Sequence, residues 1–192
     1  METAHDKRFF YPPGGILIWL IIAVEVATFG AGLVAFVWQR GLAPEVFAAS
    51  RRLLDPSIGF ANTLILLTSG FFMAESVRKL KSGASAESVW RMWAAIFLGA
   101  AFLILKSWEY TAKLAQGLDL THNSFFTFYW LLTGFHFFHV LTGMVILTVL
   151  ALKIRRGVYH AANALDVETG AAFWHLCDLI WLLLFPILYL LK

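Results

Sequence analysis

The chain has 192 residues, 60% of them hydrophobic and only 14% charged, with a formal net charge of +3 and a pI of about 9.1. An average soluble domain is about 45–50% apolar and about 25% charged, so this much apolar surface calls for lipid as its solvent. The small cationic excess forms no basic stripe, which argues against nucleic-acid binding, and the single cysteine, Cys177, rules out an intrachain disulfide, a CxxC centre and a thiolate metal cage.

The first fourteen residues, METAHDKRFFYPPG, carry no small-residue cleavage site, and the apolar run after them is longer than a signal-peptide core. They are expected to remain, with the first span as its own insertion signal. A membrane-crossing helix needs about 20 mostly apolar residues. Five stretches come near or reach that length: Gly15–Trp38, Ile58–Val77, Val89–Leu105, Phe125–Leu152 and Ala171–Leu191. The third is the shortest, which leaves a four-span arrangement open. Between the first two, Ala43–Leu54 reads as a short interfacial helix. No strand pattern competes, and helices bond every backbone group internally, as hydrocarbon demands. The expected fold is therefore all-α, a polytopic membrane helical bundle of five transmembrane helices forming a single domain over residues 1–192.

Orientation follows from the cations in the connections. One side carries nine: Lys7, Arg8, Arg78, Lys79, Lys81, Arg91, Lys153, Arg155 and Arg156. The other carries six: Arg40, Arg51, Arg52, Lys106, Lys113 and Lys192. The bias predicts the N-terminus inside and the C-terminus outside. There is no repeat, low-complexity tract or Gly-rich phosphate loop, which argues against an ATP-driven pump.

A charged group near the centre of a membrane helix costs about 2.5–3.5 kcal/mol on insertion scales, so each ionisable residue in a span needs a reason. Glu25 lies about 15 Å into the first span, near the midplane. It reads either as a neutral carboxyl bonded to a neighbouring helix or as a proton-handling group. In the fourth span His136 and His139 stand three residues apart on one face, with Gly134 and Gly143 on or beside it to admit a neighbouring helix. Ligands so spaced cannot clamp one haem iron from both sides, so polar helix contacts are the better reading, and no metal site is expected. The fifth span repeats the pattern in His175 and Asp178, flanked by Trp174 and Trp181, with Pro186 bending the helix beyond them. Counted by depth, Glu25 should reach Asp178 or one of the histidines directly or through one water. Desolvation and the neighbouring like charge should keep at least one of the carboxyls protonated at neutral pH. At the end of the third span Lys106, Glu109 and Lys113 are spaced to pair along one face, and read as a solvated clasp at the membrane interface.

The segments WLIIAVEVATFGAG (Trp19–Gly32), ANTLILLTSG (Ala61–Gly70), SWEYTAKLAQG (Ser107–Gly117), TGFHFFHVLTG (Thr133–Gly143) and FWHLCDLIWLLLFPILYL (Phe173–Leu190) together resemble subunit III of the haem-copper respiratory oxidases, in that family's order and over nearly the whole chain. The His175, Asp178, Trp181 pattern is the most specific part of the likeness. The chain resembles the five-helix form, without the first helix pair that walls a lipid cleft in longer members. The resemblance implies a bacterial inner-membrane subunit of cytochrome c oxidase type that is not catalytic by itself. It implies no cofactor in this chain, with haem and copper in partner subunits I and II, and room for bound phospholipid. It also implies support for assembly, proton uptake and stability of the catalytic subunit, with Gly30, Gly32, Ser69 and Gly70 on a face of the first two spans packed against subunit I. A relative that accompanies nitric oxide reductases, and a stand-alone carrier or b-type cytochrome, remain the alternatives.

Overall fold

A computed structural model describes residues 15–191. Residues 1–14 and Lys192 lie outside the described residues, and with them the expectation about N-terminal processing and the charges of Lys7, Arg8 and Lys192. The elements run α1 (Ile16–Leu42), α2 (Pro44–Arg51), α3 (Pro56–Lys81), α4 (Ser85–Ala115), α5 (Ser124–Arg155) and α6 (Leu165–Phe185), closed by a π-helical turn, Pro186–Leu190. Five helices are long and apolar enough to cross a membrane: α1, α3, α4, α5, and α6 continued through the turn. The short helix α2 falls inside the segment expected to lie at the interface.

The third span differs from its expected outline. Instead of the shortest span, ending at Leu105, α4 has 31 residues and runs ten residues further, to Ala115. The four-span alternative falls with it. Lys106, Glu109 and Lys113 look like the end of an apolar run in the sequence, yet all three are buried, so the helix continues through them.

Local chemistry sets the helix ends. Asp55 accepts from the Ser57 amide at 2.8 Å, with Pro56 opening α3. Asn123 accepts from the Phe126 amide at 3.0 Å and donates to Ser50 Oγ at 2.9 Å, which ties the start of α5 to α2. Helix α3 stops at Gly83, whose φ of +82° suits a residue without Cβ. There the Ala84 amide bonds the Lys79 carbonyl and the Gly83 amide the Leu80 carbonyl, a Schellman closure that turns the chain directly into α4. Ion pairs brace this end: Lys79 with Glu87 at 2.7 Å, and Lys81 with Glu168 of α6 at 2.8 Å.

Helix α6 holds the bundle together. Trp174 is fully buried between Gly99 of α4 and Gly143 of α5, where a Cβ would stand 2.6 Å and 2.8 Å from the ring. Its indole donates to Ser69 Oγ at 3.1 Å, and Ser69 donates to the Ala95 carbonyl at 2.7 Å. One side chain thus joins four helices. Two turns on, Trp181 donates to Thr63 Oγ1 at 2.9 Å and packs edge-on to Phe102 at 4.9 Å.

This packing corrects the expected use of the small residues. Gly32 faces Leu132, Ser69 serves Trp174 and Ala95, and at Gly70 a Cβ would collide with Asp178 Oδ2. These three make room inside the chain, not on a face toward another subunit. A Cβ at Gly30 or Gly134 would meet nothing within 4 Å in this chain, so neither admits a helix of its own bundle. Of the two glycines assigned to the histidine face, Gly143 alone makes a close approach.

Candidate functional site

The buried polar residues form separate arrangements and not one network. The first joins α1 to α5. Glu25 Oε2 lies 3.2 Å from His139 Nε2, so the expected approach to a histidine exists. The contact is close enough for charges but is not aligned as a hydrogen bond, and Glu25 Oε2 makes none. His139 Nδ1 is 2.9 Å from the Phe135 carbonyl, which can only accept, so Nδ1 carries hydrogen. Nε2 is the ring nitrogen that faces the Glu25 carboxyl. Beside it lies a shallow surface hollow of about 340 Å³ lined by His139, Phe135, Phe138, Thr142 and Phe173.

The second arrangement lies within α6. His175 Nδ1 is 3.2 Å from Asp178 Oδ2, while Asp178 Oδ1 has no protein partner. Asp178 is buried against Gly70 and His175 is exposed. No hydrogen bond or ion pair links Asp178 to Glu25 among the described residues. His136 joins neither group. It is fully buried, stacked on Trp181 at 5.5 Å and edge-on to Phe102 at 5.7 Å, with both ring nitrogens unpartnered. Its spacing from His139 reflects a shared helix, but a turn of helix puts one ring in an aromatic slot and the other beside α1.

The third arrangement corrects the expected solvated clasp. Lys106 and Glu109 are 1% and 2% exposed. Lys106 Nζ donates to Glu109 Oε2 at 3.0 Å, to Tyr129 at 3.1 Å and to Tyr189 at 2.7 Å. Both phenols donate to Glu109 Oε1, at 3.0 Å and 2.8 Å. Four rings, of Tyr110, Tyr129, Trp181 and Tyr189, stand 4.7–5.4 Å from the ammonium. Lys113 does not pair with Glu109; it bonds the Leu53 carbonyl. Burying a lone ammonium and carboxylate would be prohibitive, but here each makes three hydrogen bonds. Sequence spacing finds the Lys106–Glu109 pair and misses Tyr129 and Tyr189, which lie 23 and 83 residues from Lys106.

Among the described residues no three His, Cys, Asp or Glu side chains converge as a metal site. Fold and polar groups together define a multi-pass helical membrane protein whose intramembrane charges are settled mainly inside the bundle.

The profile of cytochrome c oxidase subunit III matches residues 17–192, and the chain belongs to that family. It is 33% identical over 197 residues to cytochrome c oxidase subunit 3 of Thermostichus vulcanus, covering all of this chain and 92% of that one. To the subunit 3 of Marchantia polymorpha it is 32% identical over 179 residues, which cover 90% of this chain and 66% of the relative. A heme-copper oxidase subunit I+III of Aeropyrum pernix is 28% identical over 179 residues, 90% of this chain and 22% of that protein. The chain thus spans less than two thirds of those last two relatives and nearly all of the first.

Proposed function

We propose that the chain is the non-catalytic third subunit of a bacterial haem-copper respiratory oxidase, one transmembrane domain in the inner membrane beside subunits I and II and phospholipid. The match to the family across residues 17–192 carries this reading. A relative named as subunit I+III supports subunit I as the neighbour. Haem and copper then belong to the partner subunits, and this chain contributes assembly, lasting activity and support for proton uptake. The Glu25–His139 pair is the group suited to the last role, because it sets a carboxyl and an imidazole 3.2 Å apart between α1 and α5 beside a surface hollow.

The proposed orientation, N-terminus inside, gains support from the buried lysines. Lys106 and Lys113 bond within the bundle, so they do not count as loop charges on the far side, where Arg40, Arg51, Arg52 and Lys192 remain. The positive-inside bias is steeper without them.

Purification of the tagged chain from its native membrane tests the assignment. A large haem- and copper-bearing subunit should co-purify, and the preparation should reduce oxygen. A partner that reduces nitric oxide instead would move the chain to the reductase-associated branch. Recovery as a lone chain with its own Soret band would refute the proposal.

A further inference from the structure

Helix α6 packs against α1, α3 and α5, but one seam of it faces outward. The seam runs Ala172, His175, Leu179, Leu182 and Pro186, at alternating spacings of three and four, and all but the partly covered Ala172 are exposed. Residues so spaced form the straight line along which one helix can lie on another.

His175 is the ionisable member of this seam, and its side chain is 44% exposed. The span Leu165–Leu190 has 26 residues, about 39 Å of helix, and His175 lies within about 4 Å of its middle. Nδ1 is 3.2 Å from Asp178 Oδ2, and Nε2 has no partner among the described residues. A Cβ on Gly70 would stand 3.5 Å from Nδ1 and would collide with Asp178, so the ring is packed against α3 on its Nδ1 side. The other two histidines of the spans are placed differently, His136 inside the bundle and His139 against α1. Acyl chains offer Nε2 neither a donor nor an acceptor, and a polar group left unbonded in hydrocarbon costs free energy. A headgroup is out of reach as well, because the nearest surface of a core about 30 Å thick lies about 11 Å away and the imidazole turns on a short stem.

We infer that this seam is the docking surface for a transmembrane helix of the large subunit, and that the helix brings a hydroxyl or carboxamide side chain to His175 Nε2. Such a group can donate or accept, so it serves either tautomer of the ring, and it adds no second charge to the middle of the membrane. The seam is otherwise apolar, so the contacts above and below His175 are packing contacts. The inference rests on the proposed placement beside a large subunit and adds which face is covered and by what chemistry.

Photocrosslinking of the full chain in its native membrane tests it, with p-benzoylphenylalanine in place of Leu179 or, as a control, of Phe97. Phe97 is also exposed, but on α4 two residues before Gly99, so it faces away from Trp174 and α6. Leu179 should join the chain to the haem-bearing large subunit, and Phe97 should not. His175→Leu should lower co-purification of that subunit about three- to tenfold, the range one interhelical hydrogen bond supports, and His175→Gln should restore most of it. Leu182→Trp leaves His175 and Asp178 intact and should weaken co-purification too, which covers the case in which His175→Leu unfolds. Thermal unfolding of each purified variant separates lost docking from lost folding. Crosslinks from Leu179 to lipid alone, or to a second copy of this chain, would overturn the assigned occupant. Wild-type co-purification of a folded His175→Leu chain would overturn the hydrogen bond. A haem-bearing subunit reached from Phe97 and not from Leu179 would overturn the face and leave the oxidase proposal standing. A Leu179 crosslink to a large subunit without haem or copper would do the reverse.

Discussion

Two intramembrane acid–base pairs in this molecule are built in opposite ways. Lys106–Glu109 is almost closed to solvent, draws on α4, α5 and the terminal turn, and with Tyr129 and Tyr189 gives the ammonium three acceptors and the carboxylate three donors. Glu25–His139 has one off-axis contact between α1 and α5, side chains 20% and 12% exposed, and a surface hollow alongside. Their settings match. Only 17% of the most apolar stretch of α1 is buried, against 56% for the last span. A satisfied pair in hydrocarbon has nothing to gain by moving, so it works as a fastener. A half-satisfied pair at a thinly covered helix contributes little to holding the fold.

The sharpest way to break this contrast is to remove one member of the closed pair. Lys106→Met leaves the Glu109 charge buried among phenols and should cost about 3–5 kcal/mol, read as a large fall in thermal stability in detergent or as lost expression. Adding Glu109→Met should recover much of it. If the single variant unfolds like the wild type, the pair is not a fastener.

Tyr189→Phe is a milder cut. It removes one phenol that bonds both charges and should lower stability by about 1.5–3 kcal/mol, with Thr63→Val, at the Trp181 indole, as a neutral-bond reference.

Glu25→Gln probes the open pair. Because Gln keeps the shape, stability should change by less than about 1 kcal/mol, and assembly with the large subunit should proceed at wild-type yield. Turnover of the assembled complex should fall or change its pH dependence. Normal turnover at every pH would reduce Glu25 to a packing group.

The smallest effect is expected at His136, whose ring nitrogens bond nothing. His136→Phe keeps the stack on Trp181 and removes two unpartnered polar atoms, so stability should stay within about 1 kcal/mol of wild type. A large loss would reveal a partner for His136 that the geometry does not display.

The five spans were legible because membrane thickness sets a run length that a linear sequence can display, and the resemblance to the oxidase subunit rested on ordered motifs that are likewise linear. The contact of Glu25 with a histidine could be reached from helix rise alone, since depth is a one-dimensional quantity. Which histidine could not. His136 and His139 differ by less than one turn in depth but point to different neighbours, and that azimuth is fixed by how α5 packs against α1 and α6.

Lys106 and Glu109 differ from their sequence expectation for the same reason. Two charges at the end of an apolar run look like a boundary with water until a phenol from each of two distant segments arrives to satisfy them. Gly70, Gly99 and Gly143 show it again, because a small residue states that something approaches closely but not whether it is Asp178, Trp174 or another chain. The sequence by itself determined that apolar helices cross the membrane, roughly where, and which family they resemble, because lipid imposes length and composition locally; that the third run is a full span, from a 31-residue helix, came from the structure. Only the tertiary structure decided which polar groups are closed fasteners and which make a single loose contact. Those outcomes depend on direction around each helix axis, which tertiary packing fixes.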